Sequence, residues 1–526
     1  MSAMNLWRIG ILVIGFVGTV LYAYGNRRRM TRLTYGVLLC FGAYALVQIV
    51  LVIYLLANHI TFPLNLEAME LTILQHLRRI MSGLPLFSEP SSDFVAFAYN
   101  PLYYYLAVPF ALLFGKTLFT LRLVAILGMI GSGVIIFLVI YQKTKSVWWG
   151  LLTTGLFCAA YYVMDSYLDS AHSDSWLVFT ILLGCYLIDL NRYRWMNLLG
   201  LFSLLASFWF KQPGAWFAIG SVLFLTKREG IKSAWPYWLV TVLVGPALYL
   251  FVPDSVFGAR FHYFTYSVPR QWVEFNFDAV RHFGGIVIKF YLPLALLGAA
   301  GSLVAFTKQW KLINIWYFLF PIAVFSGFLG ALDPGANNNV FIPMGVWFII
   351  TGIMGLIDLL ERFPQVERMG MHLAILGMCF ALFLYNPEDV AVSPKAPENY
   401  QNLVDYLKSL DGPVYAPWIG QLQDGYEFYP AVHWVPMEDM IRGPGKATDD
   451  HQLTRSLLAP VIYPTRKAYI LMNYPLENDT MLRFLLNYYV LDKDLGERFA
   501  PLSTMPRKYN LLWPRYLYRY APSGSN

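Results

Sequence analysis

Apolar segments of roughly 17–25 residues recur along this chain, and a helix of about 20 residues is enough to cross the hydrocarbon core of a bilayer. Charged residues make up 13% of the sequence, whereas a soluble domain carries about 25%. The predicted spans are residues 5–24, 33–57, 119–141, 147–163, 174–190, 196–210, 213–226, 235–252, 285–306, 312–331, 340–360 and 369–385. The sequence therefore predicts a polytopic α-helical membrane protein with about 12 transmembrane helices.

The basic residues predict the orientation, because lysine and arginine concentrate in cytoplasmic loops. Clusters that fall on one side of the predicted spans are the three arginines at 27–29, Lys143 with Lys145, Arg192 with Arg194, Lys227 and Arg228 with Lys232, Lys308 with Lys311, and Arg362 with Arg368. That side is expected to be cytoplasmic, with both termini outside. Since no Ala-x-Ala site follows residues 5–24 and the cluster GNRRRMTR does, we expect an uncleaved anchor there.

Composition also excludes several classes of protein. The basic residues form no arginine-rich groove with interleaved aromatic residues, so we expect no nucleic-acid partner. The four cysteines all lie inside apolar segments and show neither disulfide nor zinc-site spacing; they are Cys40, Cys158, Cys185 and Cys379. We expect them to be buried as small apolar side chains.

The predicted topology divides the chain into a transmembrane module, 1–385, and a soluble C-terminal domain outside the membrane, 386–526. The first outer loop, 58–118, carries two helical patterns too short to span, 66–81 and 101–114, which we expect along the membrane surface. Three further outer loops are 165–174, 253–284 and 332–341. In the C-terminal domain, strand-like GPVYAP, RKAYILMNY and YLYRY and helix-like ENYQNLVDYLKSL and MLRFLLNYYVL predict an α/β or α+β fold.

Glu70 stands out because it lies in the middle of an apolar helix face. At about 100° per residue, that face is formed by Met69, Ile73, Leu74, Leu77, Ile80 and Met81. A carboxylate that faces a bundle is costly to bury and is usually paired or functional. The alternative is that Glu70 reaches headgroup water. Glu67 lies at the edge of the face near Arg78, where a solvated ion pair accounts for it.

The later outer loops carry weaker signals. Asp165, Asp169 and Asp174 occupy the second loop, and Asp174 begins a span, where helix capping is the alternative to a catalytic role. His172 is either an orienting group or an ordinary loop histidine. Lys211 either extends to the interface or neutralises a phosphate. The asparagine run at 337–339 offers amide groups, although turn chemistry also accounts for it.

Several of these stretches resemble one enzyme family. FPLNLEAMELTILQHLRRIMSGLPLF, AFAYNPLYYYLAVPFALLFG and LRLVAILG are similar to the start of bacterial polyprenyl-phosphate-sugar glycosyltransferases. These GT-C-fold enzymes include the lipid A aminoarabinose transferases and the protein O-mannosyltransferases. HSDSWLVF, FKQPG and GANNNVFIP resemble later motifs of the family. The likeness covers residues 60–220 well, 330–360 loosely, and the C-terminal domain hardly at all.

The resemblance implies roles for particular residues. Glu70, thirteen residues before Gly83, stands where the family has its catalytic acid. Met69 occupies the place of the usual aspartate, so the choice between Glu70 and Glu67 stays open. Asp174 matches the second acidic motif, although His172 replaces the arginine that often precedes it. Lys211 and Gln212 are expected to bind the donor phosphate with Arg260 and Arg270, and Tyr99, His172, Asn338 and Asn339 to bind substrate.

The expected reaction transfers a sugar from a polyprenyl phosphate to a hydroxyl on the extracytoplasmic face, with inversion. A carboxylate would act as general base, and cations would stabilise the leaving phosphate. Glu70 and Asp174 could also hold a divalent metal, since carboxylates suit hard cations; no other cofactor is expected.

Two other functions compete with this one. A flippase or transporter of lipid-linked sugars would favour repeated halves and charges within the spans, and the sequence shows no repeat. A non-catalytic membrane protein whose outer domain binds a partner is the third reading. The family likeness places the protein in a bacterial inner membrane. The sugar and the acceptor, whether lipid, polysaccharide or protein, are left open.

Overall fold

The computed structural model describes residues 27–333, 335–363, 371–442, 450–503 and 512–521. Up to residue 385 these residues are mostly helical. The helices are Arg27–His59, Glu70–Met81, Leu102–Phe114, Leu118–Thr144, Val147–Ala159, Asp174–Leu190, Arg194–Phe210, Gly214–Glu229, Ile231–Phe251, Asp254–Phe257, Val268–Arg270, Phe277–Lys308, Ile315–Phe318, Phe320–Ala331, Ile342–Arg362 and Met371–Leu382. Side-chain caps begin several of them; for example, the Thr117 hydroxyl accepts from the backbone N–H of Thr120 over 3.3 Å.

Six helices within the described ranges are long and apolar enough to cross a membrane. They are Leu39–His59, Leu118–Thr144, Ile231–Phe251, Phe277–Lys308, Asn338–Arg362 and Met371–Asp389. The protein is therefore an integral membrane protein. The predicted span 5–24 lies outside the described residues, as do residues 369 and 370, and each of the other predicted spans overlaps with helix. The total of about 12 crossings stays a prediction.

Close packing between two antiparallel helices brings their ends together. Helices Asp174–Leu190 and Arg194–Phe210 approach at Gly184 and Gly200, and a Cβ atom on Gly184 would lie 2.6 Å from the Gly200 carbonyl oxygen. Small residues allow such an approach between membrane helices. As a consequence, Asp174 at the start of one helix and Lys211 just after the other lie at the same end of the bundle.

The helical bundle has its own hydrophobic core, and a second hydrophobic core lies at that end of the bundle. It joins apolar residues of the 58–118 segment, such as Leu74 and Phe97, to residues of the C-terminal part, such as Leu403 and Ile470. Polar contacts reinforce the junction, since Arg78 donates hydrogen bonds to the carbonyl oxygens of Leu422, over 3.1 Å, and Gln423. The C-terminal residues therefore pack on the bundle rather than standing apart from it.

The C-terminal part combines a small mixed sheet with short helices. Its four strands are β1 (Val414–Tyr415), β2 (Tyr469–Met472), β3 (Tyr489–Asp494) and β4 (Tyr516–Tyr520), and its helices are Ala396–Lys408, Trp434–Ile441, Asp450–Leu457 and Ala459–Ile462. The strand order is β1-β2-β4-β3, with β1 and β2 parallel and the other pairs antiparallel. Three predicted strands and the helix around ENYQNLVDYLKSL are confirmed.

Two predicted helices differ from the structure. The helix expected over 66–81 begins at Glu70, because the Asn65 side chain accepts from the Leu71 N–H over 2.9 Å and the Glu70 carboxylate accepts from the Leu66 N–H over 2.6 Å. These bonds close a turn over 66–69. The prediction of a helix over MLRFLLNYYVL is also wrong, because β3 begins at Tyr489 and pairs with β4.

Candidate active site

The carboxylate of Glu70 is enclosed by donors from this protein. Arg122 donates to it through Nε over 2.9 Å and Nη2 over 2.6 Å, and the backbone N–H groups of Leu66 and Ala171 donate over 2.6 and 2.7 Å. Both Glu70 and Arg122 are fully buried. A carboxylate accepts about four hydrogen bonds, so none of its lone pairs is left for a substrate hydroxyl.

The guanidinium of Arg122 also binds three carbonyl oxygens. Its other N–H groups reach the carbonyls of His59 over 3.1 Å, Leu64 over 2.6 Å, and Phe62. The pair therefore fastens the end of one spanning helix to the 58–118 segment. From the sequence, the inward direction of Glu70 was interpreted as a sign of catalysis. The ion pair with Arg122 accounts for that direction.

A large cavity lies where the bundle meets the second core. We call it the main cavity; its volume is about 730 Å³. The polar side chains in its wall include Glu67, Tyr99, Asp165, Tyr167, Lys211, Gln212, Asp333, Asn337, Asn339, Glu438, Asp439, Arg442, Asn473 and Tyr474. Glu70 is not among the lining residues. Glu67 is, and Arg78, its expected partner, donates hydrogen bonds to the carbonyl oxygens of Leu422 and Gln423.

Asp174 and Lys211 form the centre of a buried cluster beside the main cavity. The Lys211 ammonium donates to one carboxylate oxygen of Asp174 over 2.8 Å, and the Asn339 amide donates to the other over 3.2 Å. His172 contacts the same carboxylate. The Lys211 ammonium lies 5.4 Å from the centre of the Tyr99 ring. Five predicted site residues thus meet here, from four separate parts of the sequence.

The other predicted site residues are dispersed. The Gln212 amide donates to the carbonyl of Ala98 over 3.0 Å and lines the main cavity. Asn338 binds Asp165 through its backbone N–H over 2.8 Å and its amide over 3.0 Å. Arg260 pairs with Glu89, and Arg270 lies against the Tyr266 ring. Neither of these arginines lines the main cavity.

Asp165 stands between the main cavity and a second one. The second cavity, which we call the basic groove, has a volume of about 480 Å³. Asp165 lines both cavities, and the basic groove also contains three basic side chains, Arg281, His282 and Lys289, and one further carboxylate, Asp278. Asp165 and Ser166 have φ angles of 52° and 54°. Left-handed backbone at non-glycine residues costs on the order of 1–3 kcal/mol each and clusters at functional sites.

The C-terminal part closes the main cavity with an acidic cluster around one arginine. Arg442 contacts Asp333 over 3.2 Å, Asp439 over 3.1 Å and Glu438 over 3.5 Å. Burial raises the pKa of the Asp439 carboxyl to about 8; the charge of Arg442 opposes this rise, and those of Glu438 and Asp333 add to it. Burial likewise raises the pKa values of Asp333 and Glu438. Sequence reasoning missed this cluster.

The donor set does not fit a metal site at the predicted residues. Glu70 and Asp174, which the sequence left open as ligands of a shared cation, are each paired with a basic side chain of the protein. Among the residues that the structure describes, no group of three or more histidine, cysteine, aspartate or glutamate side chains is arranged to hold a metal ion.

The architecture matches a structure that has already been solved. The apo crystal structure of ArnT from Cupriavidus metallidurans aligns with a TM-score of 0.52 at 11% sequence identity, covering 91% of this chain and 98% of that one. The chain has the GT-C fold. The fold expected from the sequence motifs is thereby confirmed.

Two further structures align at lower TM-scores. ArnT from the same organism bound to undecaprenyl phosphate gives 0.47 at 13% identity, with coverage of 93% and 98%. The oligosaccharyltransferase of Archaeoglobus fulgidus, in complex with Zn and sulfate, gives 0.44 at 11% identity, with coverage of 84% and 68%. No protein-family model matches the sequence, and no curated protein sequence does either.

Proposed function

We propose that this protein is a membrane glycosyltransferase that moves a sugar from a polyprenyl-phosphate donor to an acceptor hydroxyl. The observation that carries the proposal is the pair of cavities that meet at Asp165. One is rich in carboxylates and the other has three basic side chains beside two carboxylates, and both lie at one end of a GT-C helical bundle. This arrangement suits a reaction that needs a general base on one side and an anion site on the other.

The basic groove is the proposed site of the donor phosphate. Arg281, Gly285 and Lys289 follow one another at intervals of four residues on the same helix, so they share one face, and Gly285 leaves room between the two cations. Lys289 lies well inside the spanning helix Phe277–Lys308. An ionisable residue at that depth is a functional site by default. Ile288 beside it is 64% exposed, so a polyprenyl tail would have lipid-facing surface next to the groove.

This assignment moves the phosphate site from where the sequence motifs suggested it. Arg260 pairs with Glu89, and Lys211 is compensated by Asp174. Lys211 keeps a role in the proposal, because an ammonium has three N–H donors and it lines the main cavity. With one donor on Asp174, it can offer another to a phosphate oxygen that projects past Asp165.

Glu67 is the proposed general base. It is 5% exposed, lies in the turn over 66–69 and lines the main cavity. In the proposed step, Glu67 accepts the proton of the acceptor hydroxyl as its oxygen attacks the anomeric carbon. The bond between that carbon and the phosphate oxygen breaks, its electron pair stays on the oxygen, and polyprenyl phosphate leaves. A single displacement of this kind inverts the anomeric centre.

The positions of the basic clusters support an extracytoplasmic site. Lys143, Arg228 and Lys308 lie at or near the ends of their helices opposite the cavities. Since basic residues concentrate in the cytoplasm, both cavities and the C-terminal part would face outward. We propose the inner membrane of a bacterium as the location, in keeping with the family that the sequence motifs resemble.

The direct test measures release of polyprenyl phosphate by the purified full-length protein. Wild type, E67Q and the control E398Q would be given a panel of polyprenyl-phosphate sugars and a membrane extract as acceptor. Glu398 is exposed on the helix Ala396–Lys408. We expect release by wild type and E398Q, and a rate at least about 100-fold lower for E67Q, since a general base contributes that much or more.

Other outcomes would reject parts of the proposal. Release that survives in E67Q would remove Glu67 as the base while leaving a transferase. If folded wild-type protein released nothing from any donor, yet moved a labelled lipid-linked sugar between the leaflets of a vesicle, it would be a transporter.

A further inference from the structure

The C-terminal wall of the main cavity contains a stack of aromatic rings. Trp418 and Trp434 stack with ring centroids 4.6 Å apart and planes 20° apart, and both line the cavity. Tyr474 meets Trp418 edge-on at 5.5 Å and lines it too. We call these three residues the aromatic platform. Neither the bundle nor the sequence motifs of the proposed transferase account for it.

Hydrogen bonds hold the aromatic platform in place. Asp479 accepts from the indole N–H of Trp434 over 3.4 Å and from the Tyr474 hydroxyl over 2.8 Å. The Trp434 backbone N–H donates to the Pro417 carbonyl over 2.8 Å. The surface is therefore fixed before a ligand arrives, and binding to it has a low cost in side-chain entropy.

Two buried polar atoms belong to residues that line the same cavity. Asn473 Oδ1 and Asp439 Oδ2 have no hydrogen-bond partner within the part of the chain that the structure describes, and Asp439 is 4% exposed. Both residues line the main cavity beside the aromatic platform. Buried polar atoms in folded proteins are nearly always satisfied, so these two indicate a ligand that brings hydrogen-bonding groups to this wall.

The aromatic platform and the two unsatisfied oxygen atoms together favour one chemical class of ligand. A sugar ring presents a face of C–H groups, which packs on an aromatic ring, and an edge of hydroxyl groups, which both donate and accept hydrogen bonds. An acyl chain would cover the tryptophans but leave Asn473 and Asp439 unsatisfied. A serine or threonine side chain would offer one hydroxyl but no flat face for the aromatic platform.

We propose that the aromatic platform, with Asn473 and Asp439, binds the acceptor and that the acceptor is a carbohydrate. This inference rests on the proposed transferase activity. It assigns the platform to the acceptor rather than to the donor because of its neighbour: the Asn65 amide donates to the Trp418 carbonyl over 3.2 Å, and Asn65 begins the segment that carries Glu67. A ring on the platform therefore lies beside the base, whereas the donor phosphate is placed beyond Asp165.

Saturation-transfer NMR on the full-length protein in lipid nanodiscs tests the proposal. The probes are the methyl glycosides of glucose, mannose, galactose and N-acetylglucosamine, each at about 10 mM, a concentration suited to millimolar affinities. The proteins are wild type, W434A, W418A, W434F and the control W235A. Trp235 is 62% exposed on the helix Ile231–Phe251 and does not line the main cavity.

We expect at least one glycoside to bind wild type and W235A, with ring C–H protons receiving the saturation. Binding should weaken about tenfold or more in W434A and W418A, and less in W434F, which keeps an aromatic face and guards against a folding defect. The sugar subsite is overturned if no glycoside binds wild type, or if binding persists in both alanine variants.

Release of polyprenyl phosphate, measured in the same preparations, separates this inference from the proposed function. Release with a peptide or lipid acceptor, without any glycoside binding, would overturn the carbohydrate acceptor and leave the transferase. Glycoside binding without release from any donor would reject the acceptor role together with the transferase.

Discussion

Arg122 holds both carboxylate oxygens of Glu70, through hydrogen bonds of 2.9 and 2.6 Å, at a site where neither side chain is exposed. Removing one partner of a buried pair leaves an uncompensated charge and costs about 3–5 kcal/mol. We therefore predict that E70Q lowers the thermal unfolding temperature strongly. The matched control is E89Q, which breaks the exposed pair of Glu89 and Arg260 and should unfold close to wild type.

Thermal unfolding followed by tryptophan fluorescence measures this difference. If E70Q unfolded at the wild-type temperature but lost activity, Glu70 would have the catalytic role that the helical pattern first suggested, and the structural account of the pair would be wrong.

Lys289 should determine the affinity for the donor. The variant K289M removes one of the cations of the basic groove, so we predict a rise in KM for the polyprenyl-phosphate sugar of about tenfold or more, with little change in KM for the acceptor. K308M removes a lysine from the far end of the same helix and should leave both values unchanged. Equal effects of K289M on both KM values would contradict a phosphate site in the groove.

We predict that mutations of Asp174 and Lys211 have coupled effects on the free energy of unfolding. Both residues should also be required for activity. D174N leaves the buried ammonium of Lys211 without its carboxylate, so a loss of about 3–5 kcal/mol is expected, against about 1 kcal/mol for N339A, which loses one amide hydrogen bond. The double variant D174N/K211M removes both charges and should recover part of the stability.

Activity assays on the same set complete the comparison. The double variant should remain inactive, because the methionine at position 211 offers no N–H donor to the phosphate of the donor substrate. If it were as active as wild type, the pair would serve packing alone.

Asp439 should make stability depend on pH. Because burial raises its pKa from 3.8 to about 8 in the folded protein, the folded state keeps a proton between these values that the unfolded state has lost. Stability from this group is therefore greatest at low pH and declines as pH rises from about 4 to about 8. We predict that D439N, which cannot titrate, shows a smaller fall in unfolding temperature across that interval.

The control for this prediction is D405N, which alters an exposed aspartate on the helix Ala396–Lys408. It should show the wild-type pH dependence. An unchanged pH dependence in D439N would mean that Asp439 titrates near its ordinary value.

The helical bundle could be predicted from the sequence because bilayer thickness imposes a length on apolar segments. The start of the helix at Glu70 could not be predicted in this way. It depends on the Asn65 side chain and on the Glu70 carboxylate, which compete with the backbone for the same N–H groups. The edge strand β3 was likewise hidden, since pairing with β4 overrides a helix-like pattern of leucines and tyrosines.

The candidate site was predictable where its residues lie in motifs. Asp174, His172 and Lys211 were expected at the site from the sequence, and the structure places them in contact. Arg122 carried a usable signal that was overlooked, namely a single arginine in an apolar span. Arg442 and Asp439 carried none, because only the packing of the C-terminal part against the bundle brings them to the main cavity.

The most direct test of the proposed sugar transfer is a single-turnover reaction in which both products are counted. Purified wild-type protein would be mixed with one polyprenyl-phosphate sugar and an acceptor, and mass spectrometry would quantify polyprenyl phosphate and glycosylated acceptor together. We predict equal amounts of the two products, formed at the same rate and only when the acceptor is present. Release of neither product by folded protein, across the whole donor panel, would contradict it.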